Sequence, residues 1–364
     1  MKIKEVLNHI EKLAPLSYAE DFDNVGLLVG NASNEITNVL VTLDTLENTI
    51  DEAIAKNCNL IISFHPIIFS GLKSITGKNY VERVVLKAIK NDIAIYATHT
   101  ALDNVKLGVS GKMAEVLGLK NTKVLLPKKN SIKKLITYVP DTQAESLRNA
   151  LFSEGAGHIG NYEKCSYNSK GIGTYLPSEN ANPNVGSIGK LQQEPETAIT
   201  VYFEKHQEQS LLKALFKNHP YEEVAYEIST LENSNQHIGL GIYGELPNET
   251  SEKDFLDTLK DTFNLTTIRH SKLLNKPVKT VAVLGGSGSF ALKQAIQVKA
   301  DVYVSADFKY HDFFGAEKMI VIADIGHYES EQFTKNLLVD YLTKKFTNFA
   351  IILSETKTNP IYNY

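Results

Sequence analysis

The chain has 364 residues, enough for two or three folding units, and its 43% hydrophobic and 22% charged residues describe an ordinary globular protein rather than a disordered or fibrous one. With 38 Lys+Arg against 42 Asp+Glu the formal charge is −4, so no global basic field favours a nucleic-acid backbone. Cys58 and Cys165 form no CxxC pair, which argues against a disulfide framework or a thiolate zinc site and fits a reducing cytoplasm.

At the amino terminus Ile3, Val6, Leu7, Ile10 and Leu13 recur at helical spacing with charges between them. This is an amphipathic helix, not the unbroken apolar stretch of a signal peptide. No uncharged apolar run approaches the roughly 20 residues of a membrane-spanning helix, so a membrane protein is not expected. From residue 38, β-branched runs alternate with helical segments: NVLVTLD (38–44), NLIISF (59–64) and IAIYATH (93–99) are separated by TLENTIDEAIAKN and YVERVVLKAIKND. The pattern resumes with VKTVAVL (278–284), DVYVSAD (301–307), KMIVIADI (318–325) and NFAIILSE (348–355). Such alternation predicts strands joined by crossover helices, here as two similar α/β halves with mainly parallel sheets.

Between them, KKLITYVP and TAITVYFE read as strands, and AESLRNALFSE and QSLLKALFK as helices. Two strand-then-helix units in tandem predict an α+β ferredoxin-like module. The glycine-rich stretch between the two units reads as turns and close backbone packing. The expected organisation is one α/β domain from residues 1–126 and 246–364, interrupted by an insert at 127–245.

In open α/β sheets, ligands collect at the carboxyl ends of parallel strands. Four such ends here deliver histidine: His65 after NLIISF, His99 with Asp103 after IAIYAT, Asp307 with His311 after DVYVS, and His327 with Glu331 after KMIVIADI. Imidazole and carboxylate together suit Zn, Fe, Mn or Ni, whereas an all-oxygen shell would suit Mg or Ca. Each residue alone also has a structural reading. Asp103 can cap a helix, His65 can pack in a loop, and the GHYESE segment can be a helix amino terminus. His99, Asp307 and His311 can each be a ligand, a partner that orients one, or a structural residue, and histidine adds proton transfer. Outer-shell or acid–base duty ranks first for His99. The loop Gly285–Ser289 resembles a phosphate cradle but lacks the dinucleotide and P-loop spacings, and a tight turn against the metal loops explains it equally well. No Gly-x-Ser-x-Gly elbow is present.

The segments DFDNVGLLVG (21–30), FHPIIF (64–69), THTALDN (98–104), GGSGS (285–289), SADFKYHDF (305–313) and GHYESE (326–331) resemble the motifs of the GTP cyclohydrolase 1 type 2 homologs, the Nif-three-like dinuclear-metal family. GAGHIGNYEKCS, ANPNVGSIGK and HPYEEVAYEI resemble the PII-like or CutA-like insert of its long bacterial form. The resemblance implies a toroidal homo-hexamer, a trimer of dimers, with metal sites facing an internal cavity. It implies metal ligands at His65, Asp103, His327 and Glu331, with Glu331 bridging. The family's first motif has two adjacent histidines, and Phe64 stands here in place of the first. That departure predicts one well-held ion on His65, Asp103 and Glu331, and a second on His327 and Glu331 that is weak, completed by water or absent. The implied activity is metal-assisted hydrolysis of a nucleotide such as GTP, with attack at C8 of guanine and loss of formate. His99, His311 and Asp307 are the candidates for acid–base duty. The alternative is a non-catalytic metal-binding or regulatory assembly.

Overall fold

The computed structural model describes residues 1–362 and divides the chain into two compact units, Met1–Pro127 with Gln236–Tyr364, and Lys128–Asn235. The first unit is mixed α/β. Its five-stranded sheet runs Gly26–Val29, Ala94–Ala97, Leu60–Ser63, Val39–Thr42 and Ile351–Leu353 in spatial order; the first pair is antiparallel and the others are parallel.

Side chains alternate across a strand, so a sheet covered on both faces needs apolar residues at every position. That accounts for the unbroken runs at 39–42 and 60–63. Val39, Val41, Leu60 and Ile62 pack toward the helix Ile3–Leu13 and toward Leu338 and Leu342 of the helix Thr334–Thr343. Leu40, Ile61 and Ile95 face the opposite way, onto the helices Glu47–Ala55 and Tyr80–Lys90. The amino-terminal helix buries Ile3, Val6, Leu7 and Ile10, the stripe its spacing predicts.

A six-stranded sheet follows the order Arg269–His270, Val321–Asp324, Val302–Ala306, Pro277–Ser287, Asn235–Ser251, Lys120–Lys128. Its three strands at 277–287, 302–306 and 321–324 are parallel, but 269–270 and 235–251 pair antiparallel to their neighbours. This sheet is therefore mixed rather than mainly parallel. The run at 348–355 also departs from the expected halves, because Ile351–Leu353 pairs with Val39–Thr42 at the edge of the five-stranded sheet. Parallel strands require a long connection, and here the chain passes through the other sheet between them before the helix Thr334–Thr343 leads from the strand Val321–Asp324 back to this edge.

The second unit is a four-stranded, wholly antiparallel sheet in the order Ser166–Tyr175, Gln192–Glu204, Ile132–Pro140, Tyr226–Leu231. Helices Ala144–Ser153 and Glu208–Asn218 bury Leu147, Leu151, Leu211 and Leu215 against Leu135, Ile199 and Val201 of the sheet. The strand at 166–175 occupies part of the stretch read as turns. It pairs with 192–204 over ten consecutive positions although its side chains are mostly exposed, so ladder hydrogen bonds rather than apolar alternation define it.

Among the described residues, no helix is long and apolar enough to cross a membrane.

Candidate metal centre

All the strand-end histidines and carboxylates belong to the first unit, and the carboxyl ends of both of its sheets contribute. His65 lies two residues beyond the strand Leu60–Ser63, and His327 and Glu331 are the first and last residues of the helix His327–Glu331 that follows the strand Val321–Asp324. One helical turn separates those two residues and puts both on one face. His65 Nε2 approaches Glu331 Oε2 at 3.1 Å, and His327 Nε2 approaches the same oxygen at 3.3 Å. One donor atom from each of the three residues lies within 4.8 Å of the other two.

Glu331 is 4% exposed, and its Oε2, which makes no hydrogen bond of regular geometry, is faced only by the two imidazole nitrogens. A buried carboxylate oxygen without a partner costs a large desolvation penalty unless something positive meets it. Burial works to raise the Glu331 carboxyl, and the two imidazoles outweigh it and hold it at about 2. His65 is pushed to about 10 because its Asp44 and Glu331 partners outweigh burial. Two imidazole nitrogens and a carboxylate oxygen converging on one point are the donor set of a Zn-, Fe-, Mn- or Ni-type site, so these three residues can hold a divalent ion.

The histidines are oriented from behind by one device used three times. His65 Nδ1 bonds to Asp44 Oδ1 at 2.8 Å, His327 Nδ1 to Asp307 Oδ2 at 2.7 Å, and His99 Nδ1 to Asp23 Oδ1 at 2.7 Å. An imidazole whose Nδ1–H donates to a carboxylate presents its Nε2 lone pair to a metal or a proton. The aspartates are themselves held. The Thr358 hydroxyl donates to Asp44 at 2.6 Å, the Ser287 hydroxyl donates to Asp307, and Asp23 accepts from both the hydroxyl and the backbone N–H of Thr100.

The sequence candidates therefore separate. Asp307 contacts His327 rather than the point shared by the three donors. His99 has its ring 5.5 Å from that of His65 and lines the same cavity. Asp103, at the end of the helix His99–Asp103, lies outside the set of mutually close donors. It is near enough that burial and the Glu331 carboxylate push its carboxyl well above the usual range, while His65 and His327 pull it down. His327 is the third mutually close donor beside His65 and Glu331. His311 is exposed, packs against Tyr310 and Phe314, and does not line this cavity. Phe64 is wholly buried, with its ring 4.9 Å from that of His65 and 5.6 Å from that of His99.

Sequence reasoning missed Asp44 and Asp23. Asp44 ends the run VLVTLD as Asp307 ends DVYVSAD, so the rule that found one applies equally to the other.

The amides of Gly285, Gly286 and Gly288 in the glycine loop are already committed within the protein. The Gly286 N–H donates to the Ser330 hydroxyl at 2.9 Å and the Gly285 N–H to the Ser110 hydroxyl at 3.3 Å, which uses the amides an anion would need. Gly286 has φ +68°, and a Cβ there would collide with Glu331 Oε1, so the glycine lets the strand end lie against the buried carboxylate.

The cavity has a volume of about 520 Å3 and is walled by Pro66, Phe69, Tyr328 and Pro360 beside His65, His99 and His327. Among the described residues, no lysine or arginine lines it.

The sequence profile described as Duf34/NIF3 (NGG1p interacting factor 3) matches residues 1–360. The GTP cyclohydrolase 1 type 2 homolog of Bacillus subtilis strain 168 is 39% identical to the chain, over 98% of it and 97% of the relative. The protein of the same name from Staphylococcus epidermidis strain RP62A is 33% identical over 99% of both chains. A crystal structure of a Bacillus cereus protein related to NIF3 superposes with a TM-score of 0.86 at 36% identity, covering 100% of this chain and 99% of that one.

Proposed function

The chain belongs to the Duf34/NIF3 family, and on that premise we propose that it binds a divalent metal ion through His65 Nε2, His327 Nε2 and Glu331 Oε2, with Asp103 beside them. The observation that carries this reading is the buried Glu331 Oε2, which faces two oriented imidazoles and makes no hydrogen bond of regular geometry. One ion is held well. A second is weak, because the position next to His65 is a phenyl ring that donates nothing. The metal is Zn, Fe, Mn or Ni on the chemistry of the donors.

The catalytic reading is hydrolysis of a nucleotide such as GTP, in keeping with the name its relatives carry. A divalent ion supplies Lewis acidity and makes water more acidic. His99, fixed by Asp23, moves a proton at Nε2, and Asp307 and Asp44 keep the two metal-facing imidazoles in register. Pro66, Phe69 and Tyr328 give the cavity an apolar wall. A second reading, metal binding without turnover, is favoured by a cavity lining that offers a triphosphate no lysine or arginine.

One experiment separates them. Metal-loaded protein incubated with GTP releases formate on the first reading, and His99→Gln stops release while retaining metal. Under the second reading metals raise the melting temperature, GTP does not raise it further, and no formate appears. Metal that neither binds nor stabilises contradicts both.

Three further parts of the reading are proposals. The insert is ferredoxin-like, of PII or CutA type, supported by its strand–helix–strand–strand–helix–strand order and antiparallel sheet. The chain assembles as a toroidal hexamer, which sedimentation equilibrium would report as six chain masses. It works in the cytoplasm, where the free Cys58 and Cys165 stay reduced.

A further inference from the structure

The inserted unit contains a second cavity, of about 390 Å3, far in sequence from the residues of the metal centre and different in chemistry. Its size suits a small organic ligand. Tyr175, at the end of the strand Ser166–Tyr175, and Tyr221, just beyond the helix Glu208–Asn218, both line it, with ring centroids 6.1 Å apart and planes inclined at 57°.

Both hydroxyls are committed. Tyr221 donates to Glu196 Oε1 at 2.7 Å, and Tyr175 donates to the Val185 carbonyl at 2.9 Å. Behind the wall, the Tyr221 N–H donates to His219 Nδ1 at 3.1 Å, and His219 Nε2–H donates to the Tyr138 carbonyl at 2.9 Å. His219 is thereby held as a neutral tautomer, and burial pushes its pKa down, so no positive charge stands behind the tyrosines.

The Glu196 carboxylate lies against Gly173 so closely that a Cβ at that position would collide with it. Glu222 accepts the Asn182 N–H at 2.8 Å and pins the loop that forms the far wall. Among the described residues, no lysine or arginine lines the cavity.

Two fixed aromatic rings and three glutamates, Glu196, Glu222 and Glu223, with no lysine or arginine in the lining, repel anions and attract a cation that also has apolar surface. A bare divalent ion is a poor occupant. It prefers several charged oxygens meeting at one point, whereas Glu196, Glu222 and Glu223 do not form a mutually close donor set, and Glu196 already accepts from Tyr221 and Glu222 from the Asn182 N–H. We propose that this cavity of the inserted unit binds a small alkylammonium ligand, its charged group beside Glu196 and its carbon skeleton against Tyr175 and Tyr221.

The test is calorimetric titration of the full chain with choline and, separately, with putrescine, which distinguishes a quaternary from a primary ammonium; glutarate and Mg2+ are the opposing probes. Saturable binding of either amine is expected, weakened about tenfold or more by Glu196→Gln and by Tyr175→Leu, with bound metal unchanged. The two variants lie on different strands, so failure of one to fold leaves the other as the test. No saturable amine binding up to about 10 mM, equal binding by either folded variant, or displacement of the amine by Mg2+ would overturn the assignment.

Discussion

Replacing Asp44 by alanine removes the group that orients His65 without touching a metal-facing atom. The Asp44 carboxylate takes the His65 Nδ1–H at 2.8 Å and the Thr358 hydroxyl at 2.6 Å, so alanine frees both the imidazole and the segment that carries Thr358. The ring can then rotate, and its proton can move to Nε2 and block the lone pair that faces Glu331. Loss of a partner of this kind lowers metal affinity about 10- to 100-fold, or about 1.4–2.8 kcal/mol. Asp44→Asn should lose less, because its carbonyl oxygen can still accept the His65 Nδ1–H, although the amide nitrogen then replaces the oxygen that accepts from Thr358. Competition for Zn2+ against a chromophoric chelator measures the affinity directly. If Asp44→Ala binds within about twofold of the unmodified protein, His65 is not acting through an oriented Nε2 and the proposed donor trio is wrong.

Three other outcomes follow from particular contacts. Phe64→His should raise retained metal after dialysis from one equivalent per chain toward two, read by elemental analysis; an unchanged content would show that the phenyl ring is not what weakens the second site. Gly286→Ala should lower both metal occupancy and melting temperature, since the site combines φ +68° with a Cβ that collides with Glu331, and an unaltered melting curve would contradict that packing. Burial opposes ionisation of the Glu52 carboxyl, but the hydroxyls of Ser354 and Thr356, the Glu355 N–H and Lys56 outweigh it and hold the group at about 2. A pKa lowered by folding stabilises above the usual 4.5 and loses that contribution as the pH falls toward 2. Glu52→Gln should therefore cost up to about 3 kcal/mol at pH 7, with the gap to the parent closing between pH 4.5 and 2 in chemical denaturation; a pH-independent gap would rule out the carboxylate as its source.

Much of this architecture is visible in the sequence because parallel strands buried on two faces are uninterrupted apolar runs, and 39–42, 60–63 and 94–97 each have all four residues buried. The same rule located His65, His99, His327 and Glu331, since strand ends collect ligands whatever the loop sequence. What escaped notice were contacts between segments distant in the chain. Asp23 reaches His99 across 76 residues of sequence, and Thr358 reaches Asp44 across 314; neither carries a local signature. The long strand Asn235–Ser251 was hidden by Gly239, Gly241, Gly244 and Pro247, residues that ordinarily mark turns. At Gly241, φ +70° and the close approach of Leu125 show why a strand there keeps a glycine. The strand 166–175 was hidden for the opposite reason, having almost no buried side chains to set a period. Asp307 was legible as a site residue, but not as the support of His327, because spacing places a residue near a pocket without saying which atom it touches.

The most direct measurement is anomalous scattering from crystals of the protein grown with Zn2+. The account predicts a peak in contact with His65 Nε2, His327 Nε2 and Glu331 Oε2 together. A fully occupied ion elsewhere, with Glu331 Oε2 still facing no cation, would contradict it.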